Sequence, residues 1–425
     1  MLSEKLTEAI TNGVIDKKFS FLYGKKEIKS QKERYIKAIN EFEKIFGKGK
    51  DLSVFSAPGR TEIGGNHTDH NNGRVLAASV NLDVIAVVAK NGENIIRLKS
   101  YGYEMDVIEL WGLIPKDEES GRSQSLIRGV CAKLKSEDYN IGGFDAYTTS
   151  NVLKGSGLSS SAAFEVLVSN IINYEFNNGK INPILIAMAS QYAENVYFGK
   201  PSGLMDQMAS SVGGFVAIDF KNPKEPIIEK IEFDFNKYNH SLCIVDTGGN
   251  HADLTDEYTA IRSEMDSVAK ALGKNCMREV DINIFEQSIP TLREKLGDRA
   301  VLRALHFIGD NERVLMQTNA LKEGNFDEFL NLVTKSGYSS FMYNQNVYAT
   351  KNTFEQGVSL ALALTERILN GKGAFRVHGG GFAGTIQAFV PNELIEKYKT
   401  EIEKVFGIGS CYILSIRPIG GTKII

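Results

Sequence analysis

Cysteine is scarce and scattered: Cys131, Cys243, Cys276 and Cys411 are the four in 425 residues, and no two form a C-x-x-C pair. That spacing excludes a disulfide framework and a structural zinc site, and points to buried free thiols in a reducing compartment, the cytoplasm. Charge of one sign is missing too. Forty-nine Lys and Arg face 52 Asp and Glu, with no basic block, so neither nucleic acid nor an anionic membrane is an expected partner. No run approaches the roughly 18 apolar residues of a membrane span. The opening MLSEKLTEAITNG is polar and lacks the apolar core of a signal peptide. There is no internal repeat and no low-complexity tract. What remains is a globular chain, expected to be a monomer, that handles small molecules.

The length exceeds one compact core, and two or three domains are expected. Residues 1–47 carry apolar positions at helical spacing, as in YIKAINEFEKIF. Residues 53–100 turn strand-like, with VFSAP, DVIAVVAK and NIIRLKS. Helices are expected over 159–178 and 182–198, then strands at GGFVAIDF and SLCIVDT. A helical stretch begins near Asp253, becomes less regular around 280–290, and resumes over 300–337 and 353–370. The end reads strand, glycine turn, strand, helix, strand. KNPKEP, 221–226, combines proline with charge and is the best boundary, dividing the chain into 1–222 and 223–425.

Three stretches carry chemistry. In NVLKGSGLSSSAAFEVL, a strand runs into a turn of small residues and then a helix. Gly155 and Gly157 let a backbone approach a ligand closely, and the N–H groups opening the helix favour an anion. Ser159, Ser160 and Ser161 add hydroxyl donors, one of which can ligate Mg²⁺, and Lys154 adds a point charge. No G-K-[ST] closes the loop, so it is not a Walker A motif. The plain alternative is a serine turn capping a helix. A second glycine cluster, VHGGGFAGT at 377–385, is either a hairpin or a second phosphate-facing turn.

In AENVYFGKPSGLMDQMASS, Asp206 sits between Met205 and Gln207 in a glycine-bounded turn. There it either accepts a proton from a substrate hydroxyl or caps the following helix. Glu194, twelve residues earlier, is a candidate Mg²⁺ ligand. Arg60, after the Pro58-Gly59 turn, would hold such an aspartate ionised and stabilise charge on a transferring phosphate. The third stretch, GNHTDHNNG at 65–73, packs His67, Asp69 and His70 into four positions. It lacks the helical H-x₃-H spacing and a third partner for a metal.

The order of these segments resembles the galactokinases of the GHMP small-molecule kinase superfamily. APGRTEIGGNHTDHNNG is similar to their signature segment, KGSGLSSSAA to the superfamily's ATP loop, and AENVYFGKPSGLMDQ to the stretch bearing the catalytic aspartate. DTGGNHADLTDEYTAIR is similar to the stretch that reaches the sugar with a tyrosine, and VHGGGFAGTIQAFV to the third glycine motif. The resemblance spans about residues 50–425. It implies an α+β, two-lobe fold with an N-terminal lobe like ribosomal protein S5 domain 2 and a C-terminal ferredoxin-like lobe. It also implies ATP- and Mg²⁺-dependent phosphorylation of the anomeric hydroxyl of galactose.

Carried over by position, Asp206 is the base and Arg60 its partner. Lys154, Gly155, Ser156, Gly157, Leu158, Ser159, Ser160, Ser161 and Ala162 hold ATP, with Ser161 and Glu194 at Mg²⁺. Asn66, His67, Asp69, Gly203 and Tyr258 bind the sugar, with His70 behind them. The dense polar set of GNHTDHNNG then suits the several hydroxyls of a hexose. Asn66 departs from the family's usual glutamate, which faces the C6 hydroxyl. This opens galacturonate, or another C6-modified galactose, as an alternative substrate. A catalytically silent sugar sensor shares the pattern, but here Arg60, Glu194, Asp206 and the Ala162-Ala163 pair are all present. Tyr101, Tyr103 and Trp111 are candidates for stacking on adenine.

Overall fold

The computed structural model describes residues 1–152, 157–249 and 254–425. Three helices, α1 (Ser3–Thr11), α2 (Asp16–Tyr23) and α3 (Ile28–Phe46), precede β1 (Ser53–Gly64), β2 (Arg74–Lys90), β3 (Ile95–Ser100) and β4 (Met105–Glu109). Next come α4 (Ser123–Ser136), β5 (Phe144–Ser150), α5 (Ser160–Asn177), α6 (Pro183–Tyr192), α7 (Met205–Val212), β6 (Phe215–Asp219) and β7 (Ile227–Ile231). The second half holds β8 (His240–Asp246), α8 (Thr255–Ala271), α9 (Ile282–Leu296), α10 (Asp298–Lys322), α11 (Phe326–Ser339) and α12 (Gly357–Leu369). It ends with β9 (Ala374–His378), β10 (Thr385–Pro391), α13 (Ile395–Phe406), β11 (Cys411–Leu414) and β12 (Thr422–Lys423).

The larger sheet runs β12-β1-β2-β5-β3-β4, with β6 and β7 added beside β2. Both of its faces are covered, and the period-two alternation of strand residues decides which side chain goes where. Val54, Ile85, Val87 and Ala89 pack beneath Leu6, Phe19, Tyr35 and Phe42 of the N-terminal helices. Their neighbours Phe55, Val84, Ala86 and Val88 face α4 and α5 through Ile127, Val130, Ala163 and Leu167. Each fully buried Val, Leu, Ile or Phe side chain among these contributes about 1.5–3 kcal/mol. The smaller sheet, β11-β8-β10-β9, splits in the same way. Cys243, Val245, Ile386 and Ala388 meet α12 and α13, while Leu242, Ile244 and Phe389 join the main core against Phe326 and Phe329.

One reading of the sequence changes. The stretch around 280–290 is not irregular, since α9 runs through it with Asp281 capping the N–H groups of Asn283 and Ile284 at 2.9 and 3.1 Å. Pro290 within this helix obscured its pattern. KNPKEP lies in the turn between β6 and β7, which pair with each other in the larger sheet.

The second half of β1 lies against the smaller sheet through a buried polar seam. Arg376 donates to the carbonyl of Ile63 at 2.7 Å and to Glu62 at 2.6 Å. Gln387 donates to Thr61 Oγ1 at 2.6 Å, and Thr61 also meets His378 Nε2 at 3.1 Å. The strand that bears Arg60, itself part of the larger sheet, is thus fixed to the smaller one as well.

Candidate active site

Arg60 and Asp206, 146 positions apart, form a two-pronged ion pair. Nε donates to Oδ1 at 2.7 Å and Nη2 to Oδ2 at 2.5 Å. Nη1 of Arg60 donates to the carbonyl of Gly157, and its backbone N–H to that of Leu158 at 3.0 Å. One guanidinium therefore ties the acid to the glycine-serine turn. Asp206 lies inside the first turn of α7, whose N-cap is Leu204, so its carboxylate is not the helix cap. The side chain keeps 29% of its surface open. Burial opposes its charge, but Arg60, through charge and hydrogen bonds, outweighs burial, aided by Ser159 and Lys200. The carboxyl is held below the usual range.

The glycine-serine turn leads into α5. Ser159 precedes this helix in a left-handed conformation, φ 54°, and makes no capping hydrogen bond. The plain capping alternative does not describe it. The first N–H groups of α5 accordingly have no partner within the helix. A cavity of about 810 Å³ opens beside them, lined by Ser160, Ser161, Phe164, Tyr101, Tyr103 and Phe198 among others. Trp111 does not line it. Ala162 is buried behind the turn. Lys154, Gly155 and Ser156 lie outside the described residues.

The β1–β2 connection carries the histidines. Thr68 Oγ1 donates to the carbonyls of Gly65 and Arg74 at 2.8 and 2.6 Å, closing the loop on itself. His67 is left-handed at φ 58°, a strained state for a non-glycine residue. Its Nε2 lies 2.9 Å from the carbonyl of Gly380. A carbonyl only accepts, so Nε2 carries the proton and Nδ1 takes the contact from His70 Nε2 at 3.4 Å. Tyr258 donates to the carbonyl of Gly381 at 2.9 Å, so loop and tyrosine grip the same glycine turn. Asp69 faces Gly203, where an added Cβ would stand 3.0 Å from Oδ2.

Asn66 is placed differently from its neighbours. It is 1% exposed. Its amide donates to Glu62 at 3.0 Å and to the carbonyl of Gly379 at 2.8 Å, and accepts from Asn346 at 2.8 Å and Ser340 at 3.2 Å. Helix α10 holds its backbone from both sides, Asp310 accepting its N–H at 2.8 Å and His306 meeting its carbonyl at 2.9 Å. Both amide N–H groups therefore already have protein partners.

Ser161 and Glu194 are neighbours, the hydroxyl 3.3 Å from the carboxylate. Lys200 and Gln207 also hold Glu194, at 2.9 and 2.8 Å. A hydroxyl beside a carboxylate is an oxygen pair of the kind Mg²⁺ accepts alongside waters and substrate phosphates, so these residues fit the ion. Glu165, fully buried one turn along α5, accepts from Gln207 at 3.2 Å and has no ion-pair partner among the described residues. Burial, then the charge of Glu194, push its carboxyl well above the usual range.

Two histidines behind the site govern stability toward acid. Burial lowers His70 and His306 each to about 4. Between pH 6.5 and 4 the unfolded chain binds protons that these native imidazoles refuse, so stability falls as pH falls, by on the order of 3 kcal/mol for each group. Burial raises Glu62 to about 7, which acts in the opposite sense between pH 4.5 and 7 and offsets part of the change. Urea midpoints are expected to drop from pH 6.5 to 4.5, with a smaller drop in His306→Gln. Equal slopes in the two proteins would remove His306 from this account.

Sequence reasoning did not find Glu62, Lys200, Gln207, His306, Asp310 or Arg376. Glu62 had a signal: two positions after Arg60 on a strand, it shares that residue's face. The others reach the site only through tertiary packing.

The galactokinase galactose-binding signature matches residues 40–90, and the N-terminal domain of the GHMP kinases matches residues 125–214. Lactococcus lactis galactokinase, solved in complex with galactose, superimposes with a TM-score of 0.73 at 23% identity, covering 90% of this chain and 98% of that one. Methanococcus jannaschii mevalonate kinase gives 0.60 at 14%, covering 86% and 98%. A D-glycero-D-manno-heptose 1-phosphate kinase from Bacteriodes thetaiotaomicron gives 0.59 at 15%, covering 88% and 98%. These superpositions establish the fold, an α+β kinase fold common to several small-molecule substrates. The chain thus carries the galactokinase galactose-binding signature and the GHMP kinase N-terminal domain, on a fold shared with the superposed enzymes.

Proposed function

We propose that the protein transfers the γ-phosphoryl group of ATP to the anomeric hydroxyl of galactose, giving galactose 1-phosphate and ADP. The observation that carries this reading is the Arg60–Asp206 pair, suspended between the sugar-loop strand and the glycine-serine turn. Asp206 accepts the proton of the C1 hydroxyl as its oxygen bonds to the γ-phosphorus and the bond to the ADP oxygen breaks. A carboxylate held this acidic is a weak base, so it takes the proton late, when bonding to phosphorus has acidified the hydroxyl. Arg60 keeps Asp206 ionised and places positive charge beside the transferring group. ATP would lie in the cavity beside Ser160 and Ser161, its phosphates at the start of α5. Ser161 and Glu194 would hold Mg²⁺, which supplies charge neutralisation on the phosphates. His67, Asp69, Gly203 and Tyr258 would surround the sugar. Buried free thiols and balanced charge suit a cytoplasmic monomer.

The state of Asn66 supports galactose over galacturonate. A carboxylate at C6 needs donors, and both Asn66 N–H groups already bond Glu62 and Gly379. Galactose is therefore expected to exceed galacturonate in kcat/KM by at least about tenfold. A tenfold preference for galacturonate would reverse the assignment. Asn66→Glu, moreover, would set a second carboxylate beside Glu62. Repulsion at about 4 Å is on the order of 1–4 kcal/mol, so this variant is expected to lose activity.

A further inference from the structure

The charge absent from position 66 is present four residues earlier, near the end of β1. Glu62 lies on β1 with one carboxylate oxygen held twice, by Arg376 Nη2 at 2.6 Å and by Asn66 Nδ2 at 3.0 Å. No hydrogen bond among the described residues engages the other oxygen, and the side chain keeps 8% of its surface open. A carboxylate offers about four acceptor directions, so half of this one is unused. Arg376 is itself fully buried and also donates to the carbonyls of Ile63 and Val377 at 2.7 and 3.0 Å. Its position does not depend on both Glu62 oxygens. Arg60 and Asp69, each already placed in the cleft, are near enough to act on the charge of Glu62. Asn66 points its amide nitrogen at Glu62 and at the carbonyl of Gly379 rather than outward.

The geometry points to Glu62 as a specificity-determining residue of the sugar site, whose free carboxylate oxygen accepts from a substrate hydroxyl beside position 66 and excludes a carboxylate there. This rests on the hexose-kinase reading and deepens it. The substrate class becomes neutral hexoses with a hydroxymethyl group at that end. Asn66 acts as a bracket that holds Glu62 in place, so the exchange of glutamate for asparagine does not remove negative charge from the pocket.

The test is kcat/KM for galactose, galacturonate and 6-deoxygalactose at pH 8, where Glu62 is ionised, in wild type and Glu62→Gln. The glutamine removes the charge and keeps the shape. The galacturonate-to-galactose ratio is expected to rise by about tenfold or more, chiefly through KM, while KM for ATP stays put. The 6-deoxy sugar, with neither hydroxyl nor charge at C6, should change least. A role confined to the Arg376 ion pair would lower all three sugars alike and leave the ratio unchanged, and that result overturns the inference. If Glu62→Gln fails to melt cooperatively, Glu62→Asp serves instead. It keeps the charge but withdraws it by one carbon, so galactose should weaken more than 6-deoxygalactose, and equal loss overturns the inference. A wild type that phosphorylates no hexose refutes the kinase reading itself. A wild type active on galactose with an unmoved ratio refutes only the role of Glu62.

Discussion

Asp206→Asn is expected to leave galactose and ATP binding largely intact while lowering kcat by about 10²-fold or more, the contribution usual for a general base. The amide keeps the size of the side chain and one acceptor for Arg60, but it cannot take the hydroxyl proton. Nor does it balance the Arg60 charge. That guanidinium is 11% exposed and has Asp206 as its ion-pair partner, so some loss of thermal stability should accompany the loss of rate. The two effects separate by temperature: at 25 °C, well below the melting transition, only the rate effect remains. Direct transfer also predicts that γ-labelled ATP without sugar labels no protein. An asparagine enzyme turning over at near wild-type rate, or a labelled wild type, would show that Asp206 serves Arg60 structurally and that the proton goes elsewhere.

What the sequence disclosed of this site is the local part. A strand entering small residues and serines, a glycine-bounded aspartate and a dense polar loop are each legible within about twenty residues, because their chemistry is set by backbone freedom and side-chain type. Their order along the chain, through the resemblance, then gave the two-lobe fold. What stayed hidden is pairing over distance. Nothing in APGRTE says that Arg60 meets Asp206, or that Lys200 and Gln207 grip Glu194. Asn66 misled in a definite way. Read alone, its amide looks available to a ligand, and only the folded chain shows Glu62, Gly379, Asn346 and Ser340 satisfying it. Tyr101, Tyr103 and Trp111 were equivalent by composition, yet the cavity includes the two tyrosines and leaves out the tryptophan. Burial and partners are properties of the packed state, and residue type alone does not carry them.

Gly157→Val should abolish ATP binding or raise KM for ATP by at least about tenfold in a protein that still melts cooperatively. Two independent obstacles meet at this position. The backbone is at φ +71°, where a β-branched residue is strained by on the order of 1–3 kcal/mol. An added Cβ would also lie 3.0 Å from Nδ1 and 3.1 Å from Cε1 of His378. That ring has little room to yield, because Thr61 meets its Nε2 at 3.1 Å and Thr385 its Nδ1 at 3.0 Å. The turn must shift instead, and its carbonyl is an acceptor for Arg60, so displacement reaches Asp206 as well. Loss of nucleotide binding should therefore come with a fall in kcat wherever saturation is still attainable. Gly157→Ala, which carries the Cβ without the branch, should fall between wild type and valine. The shift is confined to the turn and unwinds no helix or strand, so far-ultraviolet circular dichroism should be unchanged. A valine variant that binds ATP with wild-type affinity would mean that the phosphates do not approach this turn, and the nucleotide would have to be sought elsewhere in the cleft.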